Sequence, residues 1–178
     1  MGEATFKITI FGNGGVGKTT LLHRYITGEF FLDTKVTIGL DIAVKYLNIE
    51  GKKITLQIWD FGGEDRFRFL LPNYARGAFG GIFMYDITSP NSLRNIDEWL
   101  EIFKQEQIKH FQAPLIMVGG KADLEDKRLI SKKEANKIVK SYKFSHFFEC
   151  SAKTGENVET IFDTLVRTIM NKAGLLVN

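Results

Sequence analysis

At 178 residues the chain has the length of one ordinary globular domain, enough to bury a core of its own. Hydrophobic residues at 44% and charged residues at 25% are the mix of a folded soluble chain, not a disordered one. A net charge of +3, with acids and bases interspersed, argues for a solvated mixed surface over a nucleic-acid face, and the lone Cys150 excludes an internal disulfide.

Strands and helices alternate along the chain. Residues 5–11 are apolar and β-branched and stop at glycines, which predicts a buried strand. Residues 17–26 then predict a helix. Two strand patterns, 40–49 and 53–59, meet at Glu50-Gly51, so a hairpin is expected. The near-continuous apolar run 80–85 suits a parallel strand covered on both faces. A helix is predicted over 92–108, with Ile96, Trp99, Leu100 and Phe103 on one face. Residues 115–118 form another buried strand. Ser131 and Glu134 spell a capping box for a helix reaching about Tyr142. A short strand over 145–149 and a helix striped by Val158, Ile161, Phe162, Leu165, Val166 and Ile169 complete the series. Such alternation predicts an α/β fold, a mostly parallel sheet with helices on both faces. No linker, repeat or low-complexity segment divides it, so residues 1–178 are expected to form a single domain.

The chemistry begins at Gly12-Asn13-Gly14-Gly15-Val16-Gly17-Lys18-Thr19, a full match to G-x-x-x-x-G-K-[ST]. The motif follows a strand and opens a helix, as phosphate binding requires. Its four glycines let the backbone N–H groups turn inward, and the helix N-terminus adds partial positive charge. Lys18 is expected to reach the β- and γ-phosphates, and Thr19 to place its hydroxyl on Mg²⁺. The alternative is a glycine-rich turn without a ligand.

Four further segments, in order and at matching spacing, make nearly the whole chain resemble the Ras superfamily of small GTPases. Thr37-Ile38-Gly39 resembles its first switch and Asp60-Phe61-Gly62-Gly63 its D-x-x-G segment. Lys121-Ala122-Asp123 resembles its guanine-reading motif, and Ser151-Ala152-Lys153 the loop that closes over the base. The resemblance implies a P-loop NTPase G domain with six strands, one of them an antiparallel edge. It implies GTP and GDP as ligands, Mg²⁺ as cofactor, and hydrolysis of GTP to GDP and phosphate. The implied nucleotide contacts are Asn13, Gly14, Gly15, Val16, Gly17, Lys18, Thr19, Thr20, Phe30, Thr37, Gly63, Lys121, Asp123, Ser151, Ala152 and Lys153. The implied metal ligands are Thr19, Thr37 and Asp60, the last through water. The catalytic group is Lys18, Thr37, Gly63 and Glu64.

Asp123 is the discriminator against adenine. A carboxylate accepts from both N1–H and the 2-amino group of guanine, whereas adenine would set a buried charge against an acceptor. Lys121 is expected to lie along the base, Phe30 to meet it edge-on, and the Ala152 backbone to donate to O6. A surface lysine and a core phenylalanine are the plainer readings of Lys121 and Phe30. Contacts of Thr37 and Gly63 to the γ-phosphate would vanish on hydrolysis and relax both loops, the basis of a switch.

Two positions depart from the family. Gly120 stands where it usually has Asn, whose amide contacts the base and ties the base loop to the P-loop, so weaker affinity or faster exchange is expected. Glu64 stands where it usually has the Gln that positions the attacking water. An ionised Glu accepts from water but cannot donate, so slow hydrolysis is expected; a Glu with a raised pKa would do the opposite. The alternative function is therefore a nucleotide-binding interaction module with little hydrolysis. No arginine lies between Arg24 and Arg66, so an activating protein acting in trans is expected. A small-molecule kinase would need an acceptor pocket and an arginine-rich lid, and neither is visible.

Thr37 to Asp41, Leu56 to Asp60, Arg76-Gly77-Ala78 and Tyr85-Asp86-Ile87-Thr88 look most like the Rab branch, which implies vesicle or membrane traffic. Gly62-Gly63 is closer to the Arf pattern. The implied partners are effector, exchange-factor and GTPase-activating proteins on the switch regions, about 30–42 and 60–76. Trp59 and Tyr74 match two of the three aromatics of the Rab effector surface, and Ile42 holds the third place. The chain is expected to be monomeric and cytoplasmic, peripheral on membranes through partners. No lipid anchor is visible: Phe6 stands where myristoylation wants Ser or Thr, and residues 173–178 contain no cysteine.

Overall fold

The structure, a computed structural model, describes residues 3–31, 39–106 and 111–176. Six strands form one sheet: β1 (Glu3–Phe11), β2 (Leu40–Ile49), β3 (Lys52–Phe61), β4 (Gly80–Asp86), β5 (Leu115–Gly120) and β6 (His146–Glu149). Their order is β2-β3-β1-β4-β5-β6. The edge pair β2/β3 is antiparallel and every other pairing is parallel. The expected fold is therefore the observed one. The β2/β3 hairpin turns at Glu50 and Gly51, both at positive φ (51° and 77°), as a two-residue turn matched to strand twist demands.

Among the described residues five α-helices cover the sheet: α1 (Lys18–Thr27), α2 (Leu71–Ala75), α3 (Ile96–Gln105), α4 (Lys132–Tyr142) and α5 (Val158–Lys172). The core is split by the sheet. On one face Leu21, Leu22 and Tyr25 of α1 and the stripe Val158 to Met170 of α5 pack on Ile8, Ile10, Ile58 and Ile82. On the other, Leu71, Trp99, Leu100, Phe103 and Ala135 pack on Phe11, Phe61, Phe83 and Met117. β4 is buried along its whole length, as its unbroken apolar run requires.

The helix expected over 92–108 is shorter and is preceded by a separate 3-10 turn, Pro90–Leu93. Ser92 lies in that turn and not in α3, and its buried hydroxyl accepts from Asp86 N and donates to Ser89 O. Asn95, at φ 63°, then breaks the chain direction before α3 begins. Ile108 lies outside the described residues. The Ser131–Glu134 capping box forms as read, with Glu134 N donating to Ser131 Oγ and Ser131 N to the Glu134 carboxylate. Short elements escaped the periodicity argument: α2 and the 3-10 turns Asp65–Leu70 and Ala122–Lys127 span too few residues to show a face.

Candidate nucleotide-binding site

All five mutually parallel strands end at one edge of the sheet. The connection from β1 runs through α1 to the β2/β3 side and the one from β3 crosses to β4 on the other, so a crevice opens between neighbouring loops. The P-loop leaves β1 at Gly12 and enters α1 at Gly17. Gly12 has φ 138°, and a Cβ on it would overlap the Met84 carbonyl oxygen. Only glycine fits there. Gly63 is equally constrained: a Cβ on it would overlap the backbone of Gly12 and Asn13. The segment after β3 thus lies directly on the P-loop.

Lys18 is buried, and its Nζ donates to Asn13 O at 2.9 Å, curling back over the loop. Burial pushes its ammonium down to about 8, while the Asp60 carboxylate holds it up. Asp60 comes from β3, which pairs with β1 in the register Ile10↔Asp60. Its carboxylate accepts from the Thr19 hydroxyl at 2.5 Å. A hydroxyl and a carboxylate oxygen meeting at the start of α1 are the hard donors that Mg²⁺ takes beside phosphate oxygens. These residues fit a Mg²⁺–nucleotide: two oxygen donors, a buried cation and a glycine-rich backbone cradle.

The Asn13 side chain points the other way. Its Nδ2 donates to Asn91 O and Arg94 O, and its Oδ1 accepts from the Trp99 indole at 2.9 Å. Only the Asn13 backbone is left to the ligand side, and the side chain ties the loop to α3. Glu64 follows Gly63 and is half-buried. Arg68 pairs with Glu98 at 2.6 Å and lies over the Trp99 ring.

Beyond the P-loop a cleft of about 410 Å³ opens, within the range of ligand pockets. Its lining is Gly15, Val16, Gly17, Thr20, Phe30, Phe31, Met84, Lys121, Asp123, Leu124, Ala152 and Lys153. Residues over a hundred positions apart in sequence thus converge on one space. Asp123 Oδ1 accepts from Ser151 Oγ at 2.6 Å, and Ser151 Oγ in turn accepts from Thr154 N. Ser151 is fully buried and acts through Asp123 without lining the cleft. Lys121 adopts φ 66° and pairs with Asp86 Oδ2 at 2.6 Å. Asp86 Oδ1 is occupied by Thr88 N and Oγ1, so the carboxylate is fixed on both sides.

Sequence reasoning overlooked Phe31, Met84 and Leu124 in this lining. It also overlooked Asp86 as the partner of Lys121. An acid closing an otherwise apolar strand was a usable signal for Asp86. Nothing in the sequence singles out Met84 inside a wholly apolar run. Thr37 lies outside the described residues, as do Leu32 to Ile38 as a whole.

A cleft built by a P-loop, a D-x-x-G segment laid against it and an aspartate-bearing base loop defines a guanine-nucleotide-binding G domain. The sequence model of the Ras family matches residues 7–171. Ras-related protein Rab-13 of Bos taurus is 39% identical over 169 residues, covering 95% of this chain and 82% of that protein. Ras-related protein Rab-8B of Homo sapiens is 39% identical over 173 residues, covering 97% and 82%. Rab-10 of Diplobatis ommata is 39% identical over 170 residues, covering 96% and 84%. The chain belongs to the Ras family. It is a Rab-like small GTPase that binds GTP and GDP with Mg²⁺, hydrolyses GTP, and serves as a molecular switch in membrane traffic. The alternative of a binding module without hydrolysis gains no support from these relatives.

Proposed function

We propose that the cleft and the adjoining P-loop hold one guanine nucleotide across the edge of the sheet, with its phosphates at Gly12 to Thr19 and its base at Asp123. The observation that carries this is the convergence of five separate segments on one 410 Å³ space lined by the P-loop residues Gly15 to Gly17 and by Asp123, whose carboxylate is held by Ser151. Lys18 binds the β- and γ-phosphates, and the backbone of Gly14 to Thr20 clasps them. Thr19 and Asp60, with Thr37, hold Mg²⁺, which supplies charge neutralisation at the β- and γ-oxygens. Asp123 reads N1–H and the 2-amino group. Lys121 lies along the ring, Phe30 meets its edge, and the Ala152 backbone receives O6. Lys153 and Ser151 complete the base loop, Ser151 by orienting Asp123.

Hydrolysis is slow without an activating protein. Gly63 offers its N–H to the γ-phosphate, and Glu64 accepts a hydrogen bond from the attacking water but donates none toward the transferred phosphoryl group. Glu64→Gln is expected to raise the single-turnover rate by about tenfold, the scale of one donor regained near developing charge. A fall in rate would sink this assignment and give Glu64 the proton-accepting role instead.

The whole chain acts as a single monomeric domain. Its regulators and effectors engage residues 30–42 and 60–76. Ile42 is half-exposed there and stands opposite Trp59 in the β2/β3 ladder, and Trp59 packs on Tyr74 with ring centroids 5.9 Å apart. Together they offer a protein partner an apolar and aromatic patch. No helix among the described residues is long and apolar enough to cross a membrane. The chain meets membranes peripherally, through those partners. Size-exclusion chromatography in each nucleotide state checks the monomer: a dimer in either state would contradict it.

A further inference from the structure

Met84 is buried in the middle of β4, yet its side chain reaches the cleft and forms part of its wall. The methyl group lies in a defined place. A Cβ built on Gly120 would overlap Met84 Cε, and one built on Gly17 would stand 3.6 Å from it. The same Cβ on Gly120 would lie 3.0 Å from Val16 O. The thioether methyl therefore sits in the wedge between the loop entering α1 and the last residue of β5. Room for it exists because residue 120 has no side chain.

We propose that Met84 is a positioning residue for the nucleotide, an apolar tie that joins the P-loop to the base loop in place of the amide absent at Gly120. This rests on the reading of the cleft as the guanine-nucleotide site. Methionine suits the role because it is long, unbranched and polarisable, and fills an irregular gap with many weak contacts. The tie differs in kind from a hydrogen-bonded one. It offers the purine no side-chain donor, and a side chain at position 120 would require the methyl to move. Asparagine at 120 is therefore no simple repair: its Cβ would displace the methyl from the wedge and stand 3.0 Å from Val16 O.

The test is a double-mutant cycle on the release rate of a fluorescent GDP analogue, with wild type, Gly120→Asn, Met84→Val and the double variant. Met84→Val is expected to speed release about tenfold, within the coupling range of residues in contact. Gly120→Asn alone is expected to speed release as well. Added to Met84→Val, it is expected to slow release relative to Met84→Val alone, so its effect changes sign with the residue at 84. Met84→Leu, which keeps the length and bulk, restores release to within about threefold of wild type. Loss of general stability would move melting temperature and release together but would not reverse the sign. Gly120→Ala is the milder second probe should the Asn variant fold poorly, and it too should speed release only when Met84 is present. Slower release in Gly120→Asn with Met84 intact, or no change in Met84→Val, would overturn the proposal while leaving the nucleotide site standing. Failure of wild type to bind the analogue would overturn both.

Discussion

At the phosphate end of the cleft the chain offers mostly backbone. Gly12 lies against the Met84 carbonyl and Gly63 against the backbone of Gly12 and Asn13, so neither tolerates a Cβ, and the Asn13 side chain is turned away to Trp99. At the base end it offers side chains, and each is held by another: Asp123 by Ser151, Lys121 by Asp86. A site made of backbone is encoded where it stands, in one contiguous motif. A site made of side chains needs positioning partners, and those come from strands remote in sequence. The phosphate end should therefore fail all at once, and the base end by degrees.

The largest effect is expected from Lys18→Ala. It removes the buried cation of the phosphate end, and with it the proposed charged hydrogen bond to the β-phosphate of GDP. Affinity for GDP measured by calorimetry should fall about a hundredfold or more. A loss of only a few-fold would place the energy of binding at the base end and break the comparison. Next, Asp123→Ala removes the base reader but leaves the phosphate end intact. The preference for GDP over ADP should drop by about ten- to a hundredfold, chiefly through weaker GDP binding. An unchanged ratio would mean that some other group reads the purine.

A smaller effect is expected from Ser151→Ala, which leaves Asp123 in place but unsupported. Its hydroxyl also accepts from Thr154 N, so the whole base loop loosens. Release of GDP should accelerate roughly three- to tenfold, with the same fall in preference for guanine over adenine. If release accelerates but preference holds, Ser151 supports the loop and not the carboxylate, which would sharpen the picture of how the base end is held.

The same contrast explains what could be read before the structure. The P-loop, the D-x-x-G segment and Asp123 are short local patterns; the first lies between β1 and α1, the second against it, and Asp123 in the cleft wall. The sheet followed from apolar runs of period two or none, and α4 from a capping box whose bonds both form. What escaped notice is long-range. Met84 looks like any core residue until β5 is laid beside β4 and residue 120 proves to have no side chain. Asn13 looks like part of the phosphate cradle until α3 brings Trp99 to its amide. Ser92 falls in the 3-10 turn before α3, where its hydroxyl bonds the backbone of Asp86 and Ser89, a local competition that periodicity does not register.

The central claim is that one cleft clasps phosphates at one end and inspects a purine at the other. Isothermal titration of nucleotide-free protein with GDP and with ADP, each with Mg²⁺, tests it most directly. The account predicts stoichiometric uptake of GDP and at least about a hundredfold weaker binding of ADP, the cost of facing a buried carboxylate with an acceptor. Equal affinity for the two, or no heat with either from correctly folded protein, would contradict it.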